Sequence, residues 1–145
     1  MIAVDTNILV YAHRRDAPFH AVARPRLAEL AESGNAWAIP WPCMHEFLAV
    51  VTHPAIYNPP TPLDAALRQI EAWMESPGLV LLTEGPGYWK RLRETMVGAR
   101  VRGARAHDAR MVALCREHGV SMLWSADRDF SRFAGLKTVN PLLRS

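Results

Sequence analysis

Short apolar runs alternate with longer stretches of helical spacing from one end of the chain to the other. Ile2–Asp5 reads as a buried strand that runs straight into a helix over Thr6–His13. Pro18–Glu32 carries helical spacing and stops at Ser33-Gly34, a helix-ending pair. Trp37–Ile39 predicts a second strand closed by Pro40, and a helix follows over Pro42–Thr52, with proline at its start where no donor is lost. Pro54–Pro62 is too rich in proline for either regular element. Leu63–Glu75 is helical again, and Pro77-Gly78 introduces an apolar third strand at Leu79–Leu82. Helices over Gly87–Val97 and His107–His118, the second ended by Gly119, precede a fourth strand at Met122–Trp124 and a short fifth at Thr138–Val139. Such alternation predicts an α/β fold with a central, mainly parallel sheet and crossover helices. No repeat, low-complexity tract or composition shift divides it, so residues 1–145 are expected to form a single domain.

Composition narrows the class. With 145 residues, half of them apolar and 21% charged, the chain can bury a core without disulfide support. No apolar run approaches the roughly 18 residues of a membrane span. The opening Met-Ile-Ala-Val-Asp lacks the basic and apolar regions of a signal peptide. Cys43 and Cys115 form no CxxC pair and fit buried packing groups in a reduced, cytoplasmic protein. Net charge is +3, and every basic residue except Lys90 and Lys137 is arginine. Guanidinium suits bidentate phosphate recognition, although a GC-rich genome would also supply arginine. The charge permits nucleic-acid binding without demanding it.

The chemistry lies in four dispersed acids. Asp5 closes the first strand, where ligands of parallel sheets bind; it would also serve as a helix N-cap. Glu46 is the only formally charged residue between Glu32 and Asp64, on a helix otherwise nearly apolar. Burial there is expected, with a metal or an arginine as its partner. Asp108 heads a stripe of Asp108, Met111, Val112 and Cys115, near a helix start where the dipole favours an anion. Asp127 follows the fourth strand, with Asp129 as a second acid two residues on; solvated turn acids look the same. Two unit charges at about 4 Å and an effective dielectric near 20 repel by roughly 4 kcal/mol. Four acids converging on one pocket would therefore call for divalent cations or for protons. Carboxylates around Mg²⁺ or Mn²⁺ are equipment for phosphodiester hydrolysis.

In this order the motifs resemble those of the PIN-domain family, and within it the VapC-type toxins of bacterial VapBC pairs. Val4-Asp5-Thr6-Asn7 is similar to the family's opening signature, His45-Glu46-Phe47 to its second acid and His107-Asp108-Ala109 to its third. Ser125-Ala126-Asp127-Arg128-Asp129-Phe130 is similar to its last motif, and the likeness runs from Met1 to Val139-Asn140-Pro141-Leu142. The resemblance implies a PIN-like three-layer fold and a Mg²⁺- or Mn²⁺-dependent endoribonuclease. It makes Asp5, Glu46, Asp108 and Asp127 the metal-binding acids, with Asp129 secondary and Asn7 and Ser125 supporting them through hydrogen bonds. It further implies an RNA substrate, a cognate VapB-type antitoxin that blocks the site, and a homodimer formed through helices. The family's RNA-maturation nucleases remain an alternative.

Other residues bear on the same question. Arg100, Arg102, Arg105 and Arg110 flank Asp108 and would hold RNA phosphates or form a solvated basic face. Trp37 reads as core, whereas Trp41 and Trp89 could stack bases. A metal-free mechanism would need two convergent histidines. His45 and His107 each adjoin a key acid, but neighbours on a helix diverge by about 100°, which argues against a shared site. His13, His20, His53 and His118 sit near helix ends, where surface or capping roles are ordinary. A phosphate-accepting α/β regulator would leave Glu46 and Asp108 unexplained.

Overall fold

The computed structural model describes Met1–Leu143. Five strands, β1 (Ile2–Val4), β2 (Trp37–Pro40), β3 (Leu79–Leu82), β4 (Met122–Trp124) and β5 (Lys137–Val139), form one sheet in the order β3-β2-β1-β4-β5. Every pairing is parallel, so the sheet is wholly rather than mainly so. Six helices flank it: α1 (Thr6–His13), α2 (His20–Glu32), α3 (Trp41–Val51), α4 (Leu63–Met74), α5 (Tyr88–Gly98) and α6 (Ala106–Glu117). Helix α1 packs on α2 and α3, and α5 packs on α6.

The central strands are buried on both faces, as a covered parallel sheet requires. Ala3, Val4, Trp37, Ala38, Ile39 and Leu123 are fully enclosed. Trp37 is core as its neighbours predict, and its indole N–H donates to Ser76 Oγ at 2.9 Å. The proline-dense segment stays irregular. Pro40, expected to close β2, instead ends it in register with Leu82, a position where the ladder loses little. Two 3₁₀ turns, Gly103–Arg105 and Arg128–Arg132, escaped the hydrophobic pattern because each is too short to show a period.

Strand order fixes where a ligand belongs. The chain leaves β1 toward β2 and β3, then returns to place β4 on the other side of β1, and leaves β4 for β5. The connections after β1 and β4 thus diverge, and the crevice beyond their carboxyl ends is the topological switch point of the sheet. Asp5 follows β1 directly, and Asp127 lies three residues beyond β4. The two strand ends are tied together by Asp5 N–H donating to the Trp124 carbonyl at 2.9 Å.

Candidate metal and phosphodiester site

Asp5 is the best-held of the acids. One carboxylate oxygen caps α1 by accepting from Thr6 N–H at 2.7 Å. The other accepts from Ser125 Oγ at 2.7 Å and from Asn7 Nδ2 at 3.4 Å. Asn7 Nδ2 also reaches Ser125 Oγ at 3.3 Å, and its Oδ1 accepts from Ala126 N–H at 3.2 Å. Ser125, itself buried, accepts from Asp127 N–H at 3.0 Å. Asn7 and Ser125 therefore lock the loop after β4 onto the start of α1. Orienting partners of this kind typically matter 10–100-fold when removed. Ser125→Ala should lower RNA cleavage by about that factor while far-UV circular dichroism stays unchanged; undiminished cleavage would deny Ser125 its orienting role.

A single open cavity of about 630 Å³ gathers Asp5, Glu46, Asp108 and Asp127 along its lining. Among the described residues no three Asp, Glu, His or Cys side chains close into a ready-made metal cage. The four acids surround a space instead of meeting at a point. None of the ion pairs among the described residues involves any of them: Arg105 takes Asp129 at 3.2 Å and Arg110 takes Glu84 at 2.7 Å. The arginine partner foreseen as one possibility for Glu46 is absent from that set.

Glu46 corrects an expectation. It is exposed, not buried. Helix α3 turns Cys43, Met44, Phe47 and Val51 to the core, and His45, Glu46 and Ala49 lie on the stripe that faces the cavity. A nearly apolar helix can still bury only one face, and the lone charge marks the other. Asp129, the secondary acid, stands at the edge of the site: its N–H donates to Asp127 Oδ1 at 2.8 Å and its charge helps raise the Asp108 pKa. It is exposed and does not line the cavity; the 3₁₀ turn after Asp127 carries it round to Arg105.

The histidine argument from helical divergence also fails on geometry. His45 and Glu46 both line the cavity, as do His107 and Asp108. The cavity is open and wide, so a helix lying along its wall contributes neighbours about 100° apart. His13 is no surface group: its ring bridges Gln69 Oε1 at 3.0 Å and Thr61 Oγ1 at 3.1 Å and packs edge-on against Phe47. Burial lowers its pKa. Of the four flanking arginines only Arg110 reaches the cavity; Arg100 and Arg102 lie on the exposed face beyond it. Both thiols are buried, as expected, and Cys43 Sγ lies 3.7 Å from Asp5 Oδ1.

Electrostatics record the convergence. Burial raises the Asp5 carboxyl pKa; hydrogen bonds from Ser125 and Thr6 oppose the shift, and the charge on Glu46 adds to it. Burial also raises Asp108, reinforced by Asp127 and Asp5 and opposed by Arg105. These acids sense one another across the cavity. A further group, unremarkable in the sequence, belongs to the same wall: Thr6 Oγ1 is buried without a hydrogen-bond partner among the described residues. Tyr11 and Tyr57 line it as well. A lone aromatic inside a proline-dense connection was the available signal for Tyr57.

Hard carboxylate oxygens around an open space, an orphaned hydroxyl, and too few converging side chains for a closed cage fit a small hard cation. Mg²⁺ typically keeps several waters and binds through one or two carboxylates together with substrate phosphate. The donor set contains no ready thiolate, since burial drives Cys43 well above the ordinary thiol range.

The family model described as PIN domain matches residues 2–136 of this chain. Ribonuclease VapC48 of Mycobacterium tuberculosis is 33% identical over 137 residues, covering 94% of each chain. Among solved structures, VapBC2 from Rickettsia felis bound to a promoter DNA fragment aligns with a TM-score of 0.66 and 17% identity, over 96% of this chain and 98% of that one. VapC20 of Mycobacterium tuberculosis, described as a sarcin-ricin loop cleaving toxin, gives 0.66 and 18%, over 94% and 96%.

Proposed function

The chain belongs to the PIN domain family and to its VapC ribonucleases, and from that premise we propose that Asp5, Glu46, Asp108 and Asp127 hold Mg²⁺ or Mn²⁺ for endonucleolytic cleavage of RNA. The protein is a metal-dependent endoribonuclease of the toxin–antitoxin type, acting as one domain over residues 1–145. The observation that carries the residue assignment is the sharing of one cavity, at the switch point of the sheet, by four acids none of which is held in an ion pair among the described residues. A bound divalent ion supplies Lewis-acid stabilisation of the phosphodiester and lowers the pKa of the attacking water. The chain's own residues do the rest. Asp5 is fixed by Ser125, Asn7 and the Thr6 amide. Arg110, at the cavity wall, is placed to exchange Glu84 for an RNA phosphate. Arg105 steadies the turn that carries Asp127 through its pair with Asp129.

A VapB-type antitoxin is the partner that blocks the site. Helix α4 exposes Leu63, Leu67 and Met74, an apolar face suited to a second copy of the chain. Among the described residues no helix is long and apolar enough to cross a membrane; the two free thiols support a reduced, cytoplasmic setting for this activity.

Linkage gives the test. Burial holds the folded-state pKa values of Asp5 and Asp108 above the usual aspartate value. Their stabilising contribution is complete below the unfolded carboxylate range and is lost as pH rises through the raised folded values. At neutral pH the metal-free protein therefore carries uncompensated charge that a cation relieves. Mn²⁺ at a hundred times its Kd contributes about 2.7 kcal/mol, or roughly 5–10 °C in Tm for a domain of this size. The increment should shrink toward pH 4 and be lost in Asp5→Asn. A melting temperature indifferent to Mn²⁺ at pH 7 would remove the metal assignment.

A further inference from the structure

The 630 Å³ cavity extends well beyond its acids. Along α1 its lining runs from Asp5, Thr6 and Asn7 to Val10 and Tyr11, and along α3 from Glu46 to Val50. From Asp5 to Tyr11 the helix rises about 9 Å. The far end of the cavity is thus apolar and aromatic, completed by Tyr57 from the proline-dense connection.

Tyr57 is held in place. The Arg14 guanidinium lies over its ring, 4.3 Å from the centroid. Arg14 is in turn clamped by Asp16 at 2.7 and 2.8 Å, the Pro59 carbonyl at 2.9 Å and Thr61 Oγ1 at 3.2 Å, leaving its side chain only 12% exposed. Tyr57 N–H donates to the His53 carbonyl at 3.0 Å. Tyr11 is steadied by Phe19, with ring centroids 5.5 Å apart. Two aromatic rings pre-set in the cavity that holds the acids match the way single-stranded RNA is gripped, by stacking of unpaired bases.

We propose that Tyr57 and Tyr11 form a base-stacking subsite for a nucleotide adjacent to the scissile phosphate, with Arg14 as the residue that positions Tyr57. The subsite rests on the ribonuclease reading, since the nearby acids define which phosphate is cut. A strand whose phosphate sits among the carboxylates must send a neighbouring base along the cavity, and the aromatic end receives it.

The test uses single-stranded oligoribonucleotides carrying 2-aminopurine beside the cleaved bond. Stacking is worth roughly 1–3 kcal/mol per base, so Tyr57→Leu should raise KM about 10-fold or more with kcat nearly unchanged, while Tyr57→Phe stays near wild type. Arg14→Gln should shift KM in the same direction, and the nucleotide preference next to the cut should relax. Quenching of 2-aminopurine in EDTA reads binding without cleavage, and Tyr57→Leu should lose it. Wild type that quenches without cutting supports the subsite and overturns the nuclease reading. Wild type that cuts, with Tyr57→Leu unchanged in KM, preference and quenching, overturns the subsite alone. Unchanged cleavage with weakened antitoxin binding also overturns it and gives the face to a protein partner. If Tyr57→Leu does not fold, Tyr11→Leu carries the same comparison.

Discussion

Asp108→Asn should reduce RNA cleavage about a thousandfold, the equivalent of roughly 4 kcal/mol of transition-state stabilisation. The change is nearly isosteric and removes one negative charge from a cavity whose acids already raise one another's pKa. Folding should therefore survive, and the metal-free protein should melt no lower than wild type. Asp108 sits in the first turn of α6, where the dipole favours an anion, and loss of that complementation is worth at most about 1 kcal/mol at a partly exposed position. The two roles separate cleanly in magnitude. A residue that only complements the dipole would cost a little stability and leave cleavage intact; a ligand would cost cleavage and no stability. The same contrast extends to cells. Expression of wild type without its antitoxin should arrest growth, and Asp108→Asn should be tolerated at equal protein levels. Growth arrest by Asp108→Asn at full strength would show that toxicity does not pass through this site.

The strand and helix pattern was legible because each element is a single hydrophobic period between proline or glycine stops. Thr6–His13, Leu79–Leu82 and Met122–Trp124 coincide with the expected bounds. Sheet order was not legible, because nothing in β4 itself says that it returns beside β1. That return is what brings Asp127 and Ser125 to Asp5, so the local motifs foretold the site's members better than its shape. Glu46 shows the limit most clearly. Its apolar neighbours signalled a buried helix, yet those neighbours occupy the core face while Glu46 lies on the cavity face. Composition along a helix reports how much is buried; the angular position of the one polar residue reports where. Asp129 illustrates the converse: it stays beside Asp127, its N–H donating to Asp127 Oδ1 at 2.8 Å, but the 3₁₀ turn aims its carboxylate at Arg105. The pairing of Arg14 with Tyr57 was beyond reach, since a cation lying on a ring 43 residues away follows from tertiary packing alone.

EDTA should abolish cleavage, and the products should carry 5′-phosphate and 3′-hydroxyl ends. Two chemistries compete on the cavity wall, because His45 and His107 line it together with the acids. An imidazole pair would act as base and acid, drawing the RNA 2′-hydroxyl onto phosphorus and leaving a 2′,3′-cyclic phosphate and a 5′-hydroxyl. Direct attack by water makes no use of the 2′-hydroxyl and leaves the opposite ends. The acids favour the second route: Asp5 is oriented by Ser125 and Asn7, whereas the His45 ring packs with Trp41 at 6.2 Å and has no hydrogen bond to a second cavity group among the described residues. A base that must move a proton needs such an orienting partner. A single deoxynucleotide 5′ to the scissile phosphate should therefore be cut at close to the RNA rate, and the 3′ fragment should be joined by RNA ligase without kinase treatment. His45→Ala and His107→Ala should each keep cleavage within about tenfold, as residues outside the proton path. Cleavage that persists in EDTA, requires the 2′-hydroxyl and yields cyclic phosphate would transfer the chemistry from the four acids to the two histidines.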